Sequence, residues 1–415
     1  MSTSSSSGSP VVARPRWEEL QAIAPLATVS DAIDGLVSTR MVAPENESQL
    51  SAILSWANEH EIHVIARGGG SKMNWGNLPR AVELLVSLEK LQGVVEHAWQ
   101  DMTVTVQAGT RIAALQTELA KHGQRLPLDA LWPERSTIGG VVATNDSGPL
   151  RLRFGSVRDL ILGVTVVLAN GTIARSGGRV VKNVAGYDLP KLFTGSFGTL
   201  GVITEVTMRT YPLPHASRTI SFQFGDVEAA GKYMLAVADT TLVPAGMQLR
   251  VAAAENPVVD ICFEGLSAGI AAQVERATQL ASAAQPLSVE DNLWNSREIF
   301  WDDATAIIGK FSLLPSVIAD GIREIQSRFS NSRICVQSLG LGIFCADADL
   351  PALLSLRDAL RRLGGTLIIL HAPREIKTGI DVFGELSTAY PLMVRTKQQF
   401  DPKGILSPGR FLGGI

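Results

Sequence analysis

Between residues 43 and 61 the apolar positions Leu50, Ile53, Leu54 and Trp56-Ala57 recur at helical spacing behind Pro44, Glu45 and Glu47, which predicts a helix. The short apolar run 62–66 reads as a buried strand. Runs 82–87, 104–107, 160–168 and 202–208 read as further strands, and 112–122 as a helix ended by Gly123. Asn170-Gly171 is a hairpin signal, with 172–175 continuing the ribbon. Strands and helices in this mixture fit an α+β fold. From about His215 the glycine-rich loops stop and plainer patterns follow: strands at 220–224 and 334–338, helices at 268–284 and 350–363.

The strand at 62–66 runs into Arg67-Gly68-Gly69-Gly70-Ser71-Lys72. Three glycines in a row lose much conformational freedom on folding, so they imply a backbone that must approach something closely. A nest of N–H groups there binds anions, phosphates above all, and Ser71 and Lys72 add a hydroxyl and a positive charge. The alternative is a tight turn without a ligand. The G-x-G-x-x-G dinucleotide fingerprint is not met, because Met73 stands where its third glycine belongs. The P-loop pattern fails too, since Ala304 stands where the leading glycine before Gly309-Lys310 belongs.

At 415 residues the chain has room for two or three structural units. With 46% hydrophobic and 19% charged residues it reads as a globular protein, and a formal charge of -3 argues against nucleic acid as a partner. No apolar run is long enough to predict a transmembrane segment. Residues 1–20 read as a disordered tail with no signal-peptide order. Cys262, Cys335 and Cys345 lack metal-ligand spacing and fit free thiols, so no metal site is expected. His60 and His63 read as exposed side chains.

Three more glycine-bearing segments stand out: Ser136-Thr137-Ile138-Gly139-Gly140 running to Asn145, residues 182–192, and Thr194-Gly195-Ser196-Phe197-Gly198-Thr199-Leu200-Gly201-Val202-Ile203. The first lies in a turn-rich stretch, 126–148, read as a long functional loop. Together with Arg67–Ser71 these segments resemble the FAD-binding domain of the vanillyl-alcohol oxidase and p-cresol methylhydroxylase (PCMH-type) superfamily. There R-G-G-G-[ST] is the pyrophosphate loop, T-x-G-G makes a second flavin contact, and G-S-x-G-T-L-G-[VI]-I-T-E leads into a core strand. The tail Asp401-Pro402…Pro408-Gly409-Arg410 resembles the family's closing motif with one extra residue. The likeness covers roughly residues 40–214 and the last 30 or so. Within the superfamily the chain most resembles the FAD-binding E subunits of bacterial glycolate oxidases, through residues 181–192 and Phe197.

The resemblance implies a PCMH-type FAD-binding domain at 38–214, an α+β cap (substrate) domain at 215–380, and a C-terminal segment, 381–415, that returns to the FAD domain. It implies FAD held by Arg67, Gly68, Gly69, Gly70, Ser71, Lys72, Pro127, Leu128, Ser136, Thr137, Gly139, Gly140, Asn145, Gly198, Gly201, Val202, Ile203 and Arg410. Because Ser71 stands where covalent members carry His, the FAD is expected to be noncovalent. The implied activity is oxidation of glycolate or a similar 2-hydroxy acid, with a D-type FAD subunit and an F-type iron–sulfur subunit as partners. The implied location is cytoplasmic, with any peripheral contact to the inner membrane made through those partners. The H-x-H-x-G-D-G-N-x-H string of D-type subunits is missing. In its region His371 could act as base and Arg374 could hold a carboxylate; the plainer reading, that His371 caps a strand and Arg374 makes a surface ion pair, is preferred. Trp75 and Trp132 are candidates to flank the flavin. Two other readings stay open: a self-sufficient FAD-dependent 2-hydroxy-acid or alcohol dehydrogenase, and a flavin-free structural subunit.

Overall fold

The computed structural model describes residues 16–178, 187–282, 284–290 and 293–415. Residues 1–15 of the expected tail and 182–186 of the third glycine-bearing segment lie outside these. Residues 17–20, expected in the tail, instead begin the helix Trp17–Ile23, whose Leu20 is fully buried.

Three large sheets and a two-stranded ribbon order the described residues. The first contains the hairpin Leu26–Ile33 and Leu36–Val42, followed by Leu84–Ser87 and then Val64–Arg67, the last two parallel. The helix Glu47–Glu59 starts where Asn46 accepts the amide of Gln49, and it buries Leu50, Ile53, Leu54, Trp56 and Ala57. The second sheet is antiparallel, in the order Val94–Ala98, Thr103–Gln107, Val202–Arg209, Ile161–Val167, Ile173–Gly177. Helices Ile112–Ala120 and Ile138–Thr144 pack on it through Leu115, Leu119, Val141 and Val142. The stretch 126–148, expected to be loop throughout, thus contains a helix. Its two glycines hid a pattern that tertiary packing makes favourable.

The third sheet has eight antiparallel strands between Ala216 and His371. Helices Val227–Ala238, Ser267–Leu280, Ile318–Arg328 and Leu350–Arg362 share one core with its one face. The other face carries Ile308, Cys335, Ile343 and Leu370 and packs on Trp75 and Leu131. Strand alternation fixes which residues look that way. In Ile307–Ser312, Ile307 and Phe311 join the helix-side core and Ile308 the opposite cluster, so Lys310 shares the face of Ile308.

Two buried ammonium groups tie distant segments together. Lys377 is 3% exposed; it pairs with Asp34 at the hairpin tip at 3.0 Å and donates to the carbonyls of Asn74 and Gly76. Lys397 donates to Asp401 at 2.6 Å and to the carbonyls of Thr199 and Leu406 at 2.8 Å each. Asp401 in turn accepts the amides of Ile405 and Leu406. The tail then bridges the first sheet: Val64 donates to the Ile405 carbonyl and the Ser407 amide to the Val64 carbonyl, both at 2.8 Å. Removing one member of a buried pair leaves an uncompensated charge, so Asp401→Ala is expected to cost about 3–5 kcal/mol, measured by denaturant unfolding.

Candidate functional site

The site grows from the end of strand Val64–Arg67, where the parallel pairing stops and Gly68 to Gly70 turn the chain. The glycines are needed for space. A Cβ on Gly68 would lie 2.1 Å from Thr137 Oγ1, and one on Gly69 would lie 1.7 Å from the carbonyl oxygen of Arg135. Gly70 has φ +72°, in the left-handed region. The loop is therefore pressed against the start of helix Ile138–Thr144, where the Thr137 side chain accepts the Gly140 amide. Ser71 and Ser136 join by their hydroxyls at 3.0 Å.

A cavity opens beside this junction. Gly68 to Lys72, Thr137, Gly139, Gly140, Gly198, Gly201, Val202, Ile203 and Arg410 line it. These residues come from four stretches far apart in sequence, and all were expected to meet. Ala66 and Leu88 also line it, and no motif marked them; Ala143, Thr144 and Ser407 line it too, inside the motif segments but not singled out as contacts. Ser136 stands one bond behind the lining. Arg67 lines a neighbouring cleft instead. Pro127 and Leu128 are not among the lining residues, and Leu128 belongs to the second sheet's core. Asn145 ends helix Ile138–Thr144 with φ 49°, and its buried side-chain oxygen has no protein partner.

Arg410 shows what the cavity asks for. It is 5% exposed, it donates one N–H to the Trp75 carbonyl, and its Nε and Nη1 have no partner. Burial pushes its pKa down to about 10. A buried guanidinium with idle N–H groups fits an anionic or carbonyl-rich ligand. Glycine-lined walls, backbone amides and this cation suit a long phosphorylated cofactor.

The glycine-loop junction is matched in known proteins. Residues 38–177 match the family model described as FAD binding domain. FAD is the cofactor, and the described fold matches PCMH-type FAD-binding structures. Over 208 residues the chain is 33% identical to glycolate oxidase subunit GlcD of Bacillus subtilis (strain 168), covering 50% of this chain and 44% of that protein. Over 165 residues it is 38% identical to glycolate oxidase subunit GlcE of Escherichia coli (strain K12), covering 39% and 47%. The match thus spans less than half the length of either relative. The crystal structure of p-cresol methylhydroxylase with substrate bound superposes with a TM-score of 0.73 at 12% identity over 95% of both chains, which shows the shared α+β fold.

Next to the FAD-binding domain's cavity lies a cluster of buried charges. Lys72 is 7% exposed; its ammonium donates to Ser136 Oγ at 2.7 Å and lies 3.4 Å from Asp146. Asp146 also faces Arg297 at 3.8 Å and accepts the Leu131 amide at 2.8 Å. Burial pushes the Lys72 pKa down, against the pull of Asp146. Burial alone would raise the Asp146 carboxyl, but Lys72 and Arg297 outweigh it and hold it low. Beyond Asp146 is a small chamber, about 30 Å³, lined also by Arg151, Arg297, Lys310, Cys335 and Gln337. Lys310 retains some surface although it lies deep in the protein, and burial lowers its pKa. Its ammonium has no hydrogen-bonded partner among the described residues. Gln337 Oε1 and Arg297 Nε are also unpaired. Asp146 is the one carboxylate lining the chamber, and it answers Lys72, Arg297 and Lys310 together.

His371 and Arg374 do not share a pocket. The His371 ring contacts the Ala304 carbonyl at 2.9 Å and lines the cleft that Arg67 lines. Arg374 donates to the Asp34 carbonyl at the hairpin tip and packs over Gly35. His60 bonds the Trp56 carbonyl, and His63 meets Glu83 at 2.8 Å. Sequence reasoning overlooked the chamber, yet Lys310 inside the apolar strand Ile307–Ser312 was a visible anomaly.

Proposed function

We propose that this chain is the FAD-carrying subunit of a glycolate-oxidase-type complex that oxidises a short 2-hydroxy acid to the 2-oxo acid. The observation that carries this reading is the chamber beside the cofactor cavity. Lys310 has no hydrogen-bonded partner there and shares the charge of Asp146 with Lys72 and Arg297, and the chamber's volume is only about twice what one water needs, roughly 10–15 Å³ by the same measure. A carboxylate head on a two- or three-carbon acid is the kind of anion that fits, and Gln337 Oε1 is an acceptor for its hydroxyl. FAD, held noncovalently, would supply the hydride acceptor. Gly68 to Lys72, Thr137, Gly139, Gly140, Gly198 to Ile203 and Arg410 would hold it, with Ser136 and Asn145 behind that wall. Lys72 and Asp146 would join the two compartments, one charged partner on each side.

The similarity to both GlcD and GlcE supports a complex, in which a D-type flavoprotein and an F-type iron–sulfur subunit are the proposed partners. No helix among the described residues is long and apolar enough to cross a membrane. The test is an absorption spectrum of the purified chain, before and after glycolate without oxygen. Flavin bands that bleach only when the D-type partner is present support this reading. Bands that bleach with the chain alone make it a self-sufficient dehydrogenase, and preparations without flavin bands overturn the proposal.

A further inference from the structure

The cleft on the outer side of the glycine loop is far larger than the chamber, about 350 Å³, and it lies between the hairpin, the loop and the eight-stranded sheet. A small hydroxy acid would leave most of it to water. Its walls have three properties that point to one kind of ligand. The first is a flat aromatic pair: Trp75 and Trp301 stack with ring centroids 6.0 Å apart and planes 18° from parallel. Stacked indoles present an edge and faces suited to another flat ring.

The second is a pair of idle donors. The indole N–H groups of Trp75 and Trp301 are both buried and both without a protein partner. Buried tryptophan N–H groups usually find an acceptor, and these two lie on residues that line the cleft. The third is positive charge: Arg67 lines the cleft, and the exposed Arg135 stands at it with its guanidinium 6.0 Å from the Trp132 ring. The imidazole of His371 is also in this wall.

We propose that this cleft binds a planar, carbonyl-bearing anion of the quinone class, as the electron acceptor of the reaction. The inference rests on the reading of the chain as a 2-hydroxy-acid oxidoreductase, which needs a second substrate. The hydroxy acid loses two electrons and two protons to become the 2-oxo acid. The quinone takes up two of each and leaves as the quinol. Two compartments of such different size sort the two substrates: the acid to the cationic chamber, the ring to the aromatic cleft. Gly70, Ser71 and Met73 line both the cleft and the cofactor cavity, so the acceptor would lie against the loop that holds FAD.

The test is calorimetric titration of the flavin-loaded protein with anthraquinone-2-sulfonate, a flat anionic quinone. Saturable binding at one site per chain is expected. Arg135→Glu, which reverses an exposed charge, and Ala304→Trp, which fills the cleft from an exposed position, should each weaken it about tenfold or more while flavin content per chain stays unchanged. Glycolate should not displace the quinone. No binding, equal binding by both variants, or displacement by glycolate would each overturn the proposal. Because the readout is heat of binding and not turnover, it can fail while glycolate still bleaches the flavin, and it can succeed while glycolate does not.

Discussion

Gly69→Ala is expected to yield protein almost free of flavin. The added methyl would sit 1.7 Å from the Arg135 carbonyl oxygen, a backbone atom that cannot swing away as a side chain can. Either the glycine loop or the segment before Thr137 must retreat, and both line or support the cofactor cavity. Overpacking of this kind costs typically about 1–3 kcal/mol. At the upper end, charged against cofactor affinity, that is a loss of roughly 100-fold. The ratio of flavin absorbance to protein after gel filtration measures it. Gly225→Ala is the control, since nothing lies within 4 Å of a Cβ there. Equal flavin content in the two variants would mean that the tight junction at Gly69 is not what holds FAD.

Lys310→Met is expected to do two opposite things. Methionine keeps roughly the length of the side chain and removes a charge that has no hydrogen-bonded partner among the described residues and only a shared counter-charge in Asp146. Replacing poorly compensated buried ions by apolar groups often stabilises by about 1–4 kcal/mol. The same change should weaken binding of a short hydroxy acid by about 3 kcal/mol, near 100-fold in Kd, because the anion loses its charge-assisted partner. Flavin content should not change. The pH behaviour gives a second check. Burial lowers the folded-state pKa of Lys310 below the ordinary lysine value of 10.5. Between that lowered value and 10.5 the unfolded chain holds the proton that the folded chain has released. Unfolding free energy from Lys310 therefore rises with pH across that window, and Lys310→Met should lack that rise. Acid binding runs the other way, falling as Lys310 loses its proton. A variant with unchanged Kd for glycolate would detach the chamber from the substrate.

The parts of the molecule that a reader of the sequence can find are those whose causes are local. The helix expected at 43–61 is found at Glu47–Glu59, because an Asn cap and an apolar stripe lie next to each other in the chain. The glycine loop is legible because close backbone approach leaves only glycine possible at Gly68 and Gly69, wherever the neighbouring wall comes from. The hairpin Leu26–Val42 is less legible: Asp34-Gly35 marks its turn, but its strands mix buried and exposed apolar residues, with Val37 about half exposed. The chamber could not be read at all. Lys72, Asp146, Arg297 and Lys310 are ordinary charges until folding removes water from around all four. His371 and Arg374 illustrate the reverse. Three residues apart in sequence, they are turned toward different neighbours by the end of strand Thr366–His371 and the start of the next helix.

Strand Val64–Arg67 would be an open edge of the first sheet were it not for residues 405–407. On a ribosome, more than 300 residues must be made between the strand and the segment that covers it. During that interval the glycine loop hangs from an unguarded edge, the kind of surface that recruits other chains. Fragments ending before residue 405 are therefore expected to aggregate or to need a chaperone, and the nascent protein should gain FAD only after residues 405–410 have emerged. Assembly of this flavoprotein is, in effect, timed by the synthesis of residues 405–407.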